Sequence, residues 1–168
     1  MVHKGKITSF YTDRMLLPNG VEADWDFIDH KGAAAFVAET KDGKILMVRQ
    51  YRNALERYTL EIPAGGINEG EDFCQAAVRE LEEETGYVVE DAQHLLDIYT
   101  TVAFCNEKIG IYCGKVEQKK EQHLDADEFV DCYEYDLDEL LQMIEKGTIQ
   151  DSKTVSALLA YARKRSQK

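Results

Sequence analysis

The residues of this chain that could do chemistry crowd into one short stretch. In "FCQAAVRELEEETG", residues 73–86, a helical spacing of about 100° per residue puts Cys74, Ala77, Val78 and Leu81 on one apolar stripe and Glu80, Glu83 and Glu84 along one of its borders. Glu82 falls on the far side, as solvated surface. Like charges at i, i+3 and i+4 cost a few tenths of a kcal/mol per exposed pair, roughly, and more beside a core, so the pattern demands something positive. A hard divalent cation meets that demand, and oxygen-only ligands favour Mg²⁺ or Mn²⁺ over zinc. The preceding "PAGGINEGED", residues 63–72, is a glycine-rich turn leading straight into the helix. Such turns often hold phosphate. Carboxylates repel phosphate, so here a cation must stand between them.

The elements that must position these carboxylates are mixed in kind. "KITSFYTDRMLL", the turn "PNG" and "VEADWDFIDH" read as a β-hairpin, with Asn19-Gly20 supplying the positive φ of a tight turn. "AAAFVAET", "KDG" and "KILMVRQY" read as a second hairpin, and "YTLEIP" as a further strand. A helix from Asp72 to Thr85 follows. Later strands are expected at "HLLDIYTTV", "KIGIYCGKV" and "EFVDCYEYD", then helices at "LDELLQMIEKG" and "SKTVSALLAYARKR". Gly147 stops the first of these helices, and Arg163, Lys164 and Arg165 sit at the negative end of the second. Without regular βαβ spacing, this order predicts an α+β fold with a mixed sheet.

Bulk properties narrow the function. With 168 residues the chain suits one domain with a small appendage. A formal net charge of -12 opposes a sequence-independent grip on nucleic acid or an anionic membrane. No apolar run is long enough for a spanning helix, and "MVHKGKITSF" lacks the apolar run of a signal peptide, so a cytoplasmic location is expected. Cys74, Cys105, Cys113 and Cys132 fall in no metal-ligand or disulfide-framework spacing and read as buried free thiols.

Gly65, Glu71, Arg79, Glu80, Leu81, Glu83, Glu84 and Gly86 match the Nudix box, G-x5-E-x7-R-E-U-x-E-E-x-G-U with U a bulky aliphatic. Tyr87 departs from the last aliphatic position, a change of packing rather than chemistry. The chain therefore resembles the Nudix hydrolases. The resemblance implies the Nudix fold, a mixed β-sheet sandwiched between α-helices, and a glycine turn and helix that hold divalent metals against a substrate diphosphate. By the same resemblance Glu80 and Glu84 are the principal ligands, Glu83 a further ligand with a part in catalysis, and the carbonyl of Ala64 another. Glu71 and Arg79 resemble the family's structural pair, which orients the glutamates, and water is the nucleophile.

"VRQYRNALERYTLEIPAGG", joined to the box, is similar to the ADP-ribose pyrophosphatase branch of that family. The likeness implies Mg²⁺-dependent cleavage of a nucleoside diphosphate joined to a sugar, a small-molecule nucleotide substrate, and release of nucleoside monophosphate and sugar phosphate. Arg52 would grip a phosphate, with Arg49 a weaker candidate. Glu61 would join the metal or ribose network. Glu128, or Asp127 beside it in "DADEFVD", would be the base, and Trp25 would stack on the adenine. "TVAFCNE" occupies the place of the branch's "SPGFxDE" loop: Val102-Ala103 replace Pro-Gly, while Phe104 and Glu107 remain, Glu107 as a substrate contact. The replacement opens the substrate range to other nucleoside diphosphate sugars or dinucleotides. A non-catalytic nucleotide-sugar sensor is the rival reading, opposed by the intact box. Residues 1–31 are expected to form a hairpin that builds a homodimer, and 32–168 the hydrolase domain.

Overall fold

The computed structural model describes residues 1–89, 91–124 and 129–167. The N-terminal arm is a three-stranded antiparallel sheet of β1 (His3–Lys4), β2 (Thr8–Leu16) and β3 (Glu22–His30). The expected hairpin forms, closed by the Leu17–Val21 turn with Gly20 at φ 79°. Short β1 joins its edge.

The remaining strands form one mixed sheet. These are β4 (Ala33–Glu39), β5 (Ile45–Arg52), β6 (Arg57–Glu61), β7 (Ala64–Gly66), β8 (Tyr87–Val89), β9 (Gln93–Tyr99), β10 (Lys108–Lys119) and β11 (Val130–Tyr135). The helices are α1 (Phe73–Thr85), α2 (Leu137–Glu145) and α3 (Ser152–Arg165), making the fold α+β as the element order predicts.

Strand β4 explains the layering. Its near-continuous apolar run is what a strand covered on both faces requires. Ala35 and Val37 point into a core shared with Leu137, Leu140, Ala157 and Leu158 of α2 and α3, while Ala34, Phe36 and Ala38 point into one shared with Ala76, Ala77 and Leu81 of α1. The alternation of period two thus places α1 on one face and α2 and α3 on the other.

The expected β4–β5 hairpin is corrected by the structure. Its turn forms, with Gly43 N–H donating to the Thr40 carbonyl at 2.9 Å, but the two strands pair only at Glu39 and Ile45 and then separate. Into the gap comes β7, whose Ala64, Gly65 and Gly66 pair with Ala35, Ala34 and Ala33, while parallel β10 takes the other edge of β4. β5 instead lies between β6 and β11. Long-range pairing wins because it buries β4 from Ala34 to Glu39, and the separation brings the glycine turn to the middle of the sheet.

Helix α1 begins where its cap predicts. Asp72 accepts from Gln75 N–H at 2.9 Å and the Gln75 side chain accepts from Asp72 N–H at 3.0 Å, a reciprocal capping box. The buried face is rotated slightly from the expected stripe: Ala76, Ala77, Leu81, Glu84 and Thr85 are buried, whereas Cys74 and Val78 are half-buried. All four cysteines are free; Cys113 alone is buried, the others half-buried, so the buried-thiol expectation holds only for it. Tyr87, the departure from the box, joins the α1-side core and donates its hydroxyl to Glu134 at 2.7 Å; burial and that carboxylate push its pKa up to about 12.

Gly86 ends α1 at φ 70°, and a Cβ there would meet the Lys120 carbonyl oxygen at 2.2 Å. Both the left-handed backbone and the close approach exclude a side chain. Gly86→Ala is expected to lower stability by about 1–3 kcal/mol, read as a shift of the urea unfolding midpoint.

Candidate active site

The box residues converge on one guanidinium. Arg79 donates through Nε to Glu71 Oε1 at 2.8 Å and through Nη2 to Glu71 Oε2 at 3.0 Å. Its Nη1 reaches Glu80 Oε1 at 2.8 Å and Glu83 Oε2 at 2.7 Å, and Nη2 also meets the Gly66 carbonyl at 2.9 Å. Hydrogen bonding to Glu71 raises the Arg79 pKa against the effect of burial, and the same bonds hold the Glu71 carboxyl below its ordinary value. Glu71 is fixed further by the Asn68 N–H at 3.0 Å. Arg79 thus lies between Glu71 on one side and Glu80 and Glu83 on the other.

The glutamates themselves lie against β7. Glu84 is buried and accepts from Ala64 N–H at 2.9 Å. The Glu80 carboxylate sits over Gly65 so closely that a Cβ there would stand 2.1 Å from Glu80 Cδ. A side chain at 65 would displace the Glu80 carboxylate from this place, so the glycine matters here for room and not for its backbone angles. Ala64, Gly65, Glu71, Arg79, Glu80, Glu83 and Glu84 are therefore one cluster. Among the described residues no group of three or more His, Cys, Asp or Glu is gathered closely enough to hold a metal ion. The donor chemistry nevertheless fits a hard cation: four carboxylates and one guanidinium leave this set strongly acidic, and every side-chain donor is oxygen. Glu82, expected as solvated surface, is one-third exposed and paired with Lys120 at 2.7 Å.

A second cluster is centred on Glu61. Its buried carboxylate accepts from Arg52 Nε at 2.7 Å, Arg52 Nη2 at 2.6 Å and Thr59 Oγ1 at 2.6 Å, and from Lys153 Nζ of α3. Burial alone would raise its pKa; the Arg52 bonds, then the Lys153 charge, outweigh that and hold it at about 2. Arg52 is raised in turn by Glu61, with a smaller contribution from Glu84, which ties this cluster to the box. Lys153 also meets Asp151, the α3 N-cap, at 2.9 Å. Arg52, Glu61 and Asp151 line a cavity of about 400 Å³.

The other expected residues stand apart. Arg49 lies over the Tyr58 ring at 3.9 Å and 3.4 Å from Asp131. Trp25 is 54% exposed on the arm, opposite Asp13. Glu107 accepts from Thr100 Oγ1 at 2.7 Å and stands 3.6 Å from His30 Nδ1, where the arm joins the sheet. Glu128 and Asp127 lie outside the described residues. Lys153, Asp151 and Thr59 were not singled out from sequence. A lysine in the first turn of a helix, against the dipole, is the signal that could have marked Lys153. A separate cavity of about 430 Å³, lined in part by Glu39, Cys113, Tyr161 and Lys164, includes no box residue.

Comparison with known proteins accords with this geometry. A family profile described as the NUDIX domain matches residues 29–158. A "Methanol dehydrogenase activator" from Bacillus methanolicus is 45% identical over 159 residues, 94% of this chain and 86% of the relative. An "ADP-ribose pyrophosphatase" from Bacillus subtilis (strain 168) is 38% identical over 161 residues, again 94% and 86%. A crystal structure of an ADP compounds hydrolase superposes with TM-score 0.84 at 21% identity, over 96% of this chain and 88% of that one, which shows the shared fold. The chain belongs to the Nudix family and is a Nudix hydrolase with ADP-ribose pyrophosphatase relatives.

The Glu61 shift has a pH consequence. Its folded pKa lies below the ordinary 4.5, so the stability it contributes is complete above about pH 4.5 and is lost as pH falls toward 2. The groups facing it are the Arg52 guanidinium, the Thr59 hydroxyl and the Lys153 side chain, with Asp151 beyond Lys153. Urea midpoints measured from pH 5 to pH 2.5 are expected to fall less steeply for Glu61→Gln than for the wild-type protein.

Proposed function

We propose that this protein hydrolyses the pyrophosphate bond of a nucleoside diphosphate joined to another group, with ADP-ribose or another ADP-sugar as the first candidate, giving nucleoside monophosphate and a sugar phosphate. The observation that carries the reading is the box cluster, in which Glu80, Glu83 and Glu84 are gathered around β7 by Arg79 and by the Ala64 N–H. The 38% identical ADP-ribose pyrophosphatase supports the substrate class. Val102-Ala103 in place of Pro-Gly keeps other nucleoside diphosphate sugars and dinucleotides among the candidates, and the intact box disfavours a non-catalytic sensor.

Glu80, Glu84, Glu83 and the Ala64 carbonyl would hold Mg²⁺, with Mn²⁺ as an alternative. A bound divalent cation supplies charge neutralisation on the diphosphate and acidifies water. Arg79 keeps the carboxylates separated and oriented, and Glu71 keeps Arg79 in place. Arg52, 40% exposed beside the cavity, would bind a phosphate. Glu128, or Asp127, would take the proton from the attacking water.

The arm is the proposed dimer element and nucleotide platform. Ile7, Leu16, Val21 and Trp25 are each more than half exposed on it. It is attached at one end, where Ile28 N–H donates to the Phe104 carbonyl at 2.7 Å and the Asn106 side chain accepts from His30 N–H at 2.8 Å. Two or three strands with so much bare apolar surface are stabilised by a partner that covers it, and a C2 pairing is the commonest way. Among the described residues no helix is long and apolar enough to cross a membrane.

A second reading follows from the 45% identical relative, whose name makes it an activator of methanol dehydrogenase. In that reading the same site serves a partner dehydrogenase.

Incubation with ADP-ribose and Mg²⁺, followed by phosphatase-coupled detection of the monophosphates, tests the proposal. Turnover is expected in the wild-type protein and a fall of about two orders of magnitude or more in Glu84→Gln, with the fold retained; activity within threefold of wild type would remove Glu84 from the site. Glu128→Gln is expected to slow turnover more than Asp127→Asn with little change in metal binding. Light scattering of the full chain should give twice the monomer mass, and Trp25→Ala should weaken nucleotide binding. Stimulation of a methanol dehydrogenase without turnover of free ADP-ribose would favour the second reading.

A further inference from the structure

Lys153 occupies a position that local forces disfavour. It is the second residue of α3, inside the turn where the helix dipole is positive, and its side chain is only 9% exposed. A lysine is placed there because two carboxylates meet it, Glu61 and Asp151. Its location is also fixed by its neighbours. Asp151 accepts from Thr154 N–H at 3.0 Å and from Thr154 Oγ1 at 2.6 Å, and Thr154 Oγ1 accepts from Ile62 N–H at 3.1 Å. The start of α3 is thereby fastened to the residue after Glu61, immediately before the Pro63-Ala64-Gly65 turn.

The consequence falls on Arg52. Its bonds to Glu61 use Nε and one Nη2 hydrogen, a bidentate grip that sets the direction of the guanidinium. If Arg52 were the sole countercharge of the buried Glu61, engaging a phosphate would compete directly with that pairing, since a buried carboxylate stripped of its partner is strongly destabilised. Lys153 changes the balance. Two cations, Arg52 and Lys153, face two carboxylates, Glu61 and Asp151, and the Lys153 charge arrives from the opposite element.

We propose that Lys153 is a positioning residue for substrate binding: by holding Glu61 from the α3 side, it lets Arg52 keep its orientation on Glu61 while its remaining donors serve a substrate phosphate. Lys153 touches no substrate. The inference rests on the reading of Arg52 as a phosphate-binding residue, and the experiment separates the two.

With ADP-ribose and Mg²⁺ as the assay, Lys153→Met is expected to raise KM about tenfold while kcat stays within about twofold, the signature of lost ground-state binding. Lys153→Arg, which keeps the charge, should restore KM to within about threefold of wild type. In a Glu61→Gln background, where no buried carboxylate competes for Arg52, Lys153→Met should change KM less than about twofold. If Lys153→Met does not fold, Lys153→Gln carries the same expectations. An unchanged KM in Lys153→Met alongside a raised KM in Arg52→Ala would overturn the inference alone, as would the same tenfold effect with and without the Glu61 charge. An unchanged KM in Arg52→Ala would overturn the phosphate reading, and the inference with it.

Discussion

The Arg79 guanidinium, set among Glu71, Glu80 and Glu83 with the Gly66 carbonyl, is the contact on which the box cluster depends. Carboxylates at i, i+3 and i+4 on a half-buried helix repel one another, and an internal cation relieves that repulsion more effectively where water is partly excluded. Only arginine has enough donors in a fixed plane to meet three carboxylates and a carbonyl at once. A lysine would carry the charge without the geometry. Gly65 completes the arrangement from the other side, since the space of a single methyl group is occupied by the Glu80 carboxylate.

The sheet supplies the stage for this contact. Because β4 and β5 separate after one pair, β7 can insert beside β4 and present Ala64 N–H to Glu84. The same separation leaves Glu61 at the end of β6, within reach of α3, so that the box cluster and the Glu61 cluster are joined by only Ile62 and Pro63 along the chain. Two carboxylate clusters with internal cations thus follow one another along the chain, an acidic one organised by Arg79 and a charge-balanced one held by Arg52 and Lys153. Both are satisfied from elements that α1 and α3 bring from opposite faces.

What could be read from the sequence was what is local. The spacing of Glu71, Arg79, Glu80, Glu83 and Glu84 identified the cluster, and Asp72 and Gly86 bound α1 within a residue, because helical periodicity and capping are set by near neighbours. The hairpin turn at Asn19-Gly20 was legible too, although only Gly20 of the pair takes a positive φ. The separation of β4 from β5 was not, since it depends on β7 and β10 competing for the edges of β4 from far along the chain. Short β7 and β8 carry too few residues for a periodic signal. Lys153 was missed for a similar reason: Glu61 is 92 residues away, and only the fold shows that a first-turn lysine has a buried carboxylate to meet.

Under the proposed function, Arg79 organises the carboxylates for a cation instead of contacting substrate. Titration of the protein with Mn²⁺, followed by the loss of the free-ion signal in electron paramagnetic resonance, tests this without any turnover. Arg79→Lys is expected to bind Mn²⁺ about tenfold or more weakly than the wild-type protein while unfolding as a single cooperative transition. Unchanged Mn²⁺ affinity in a folded Arg79→Lys protein would contradict it.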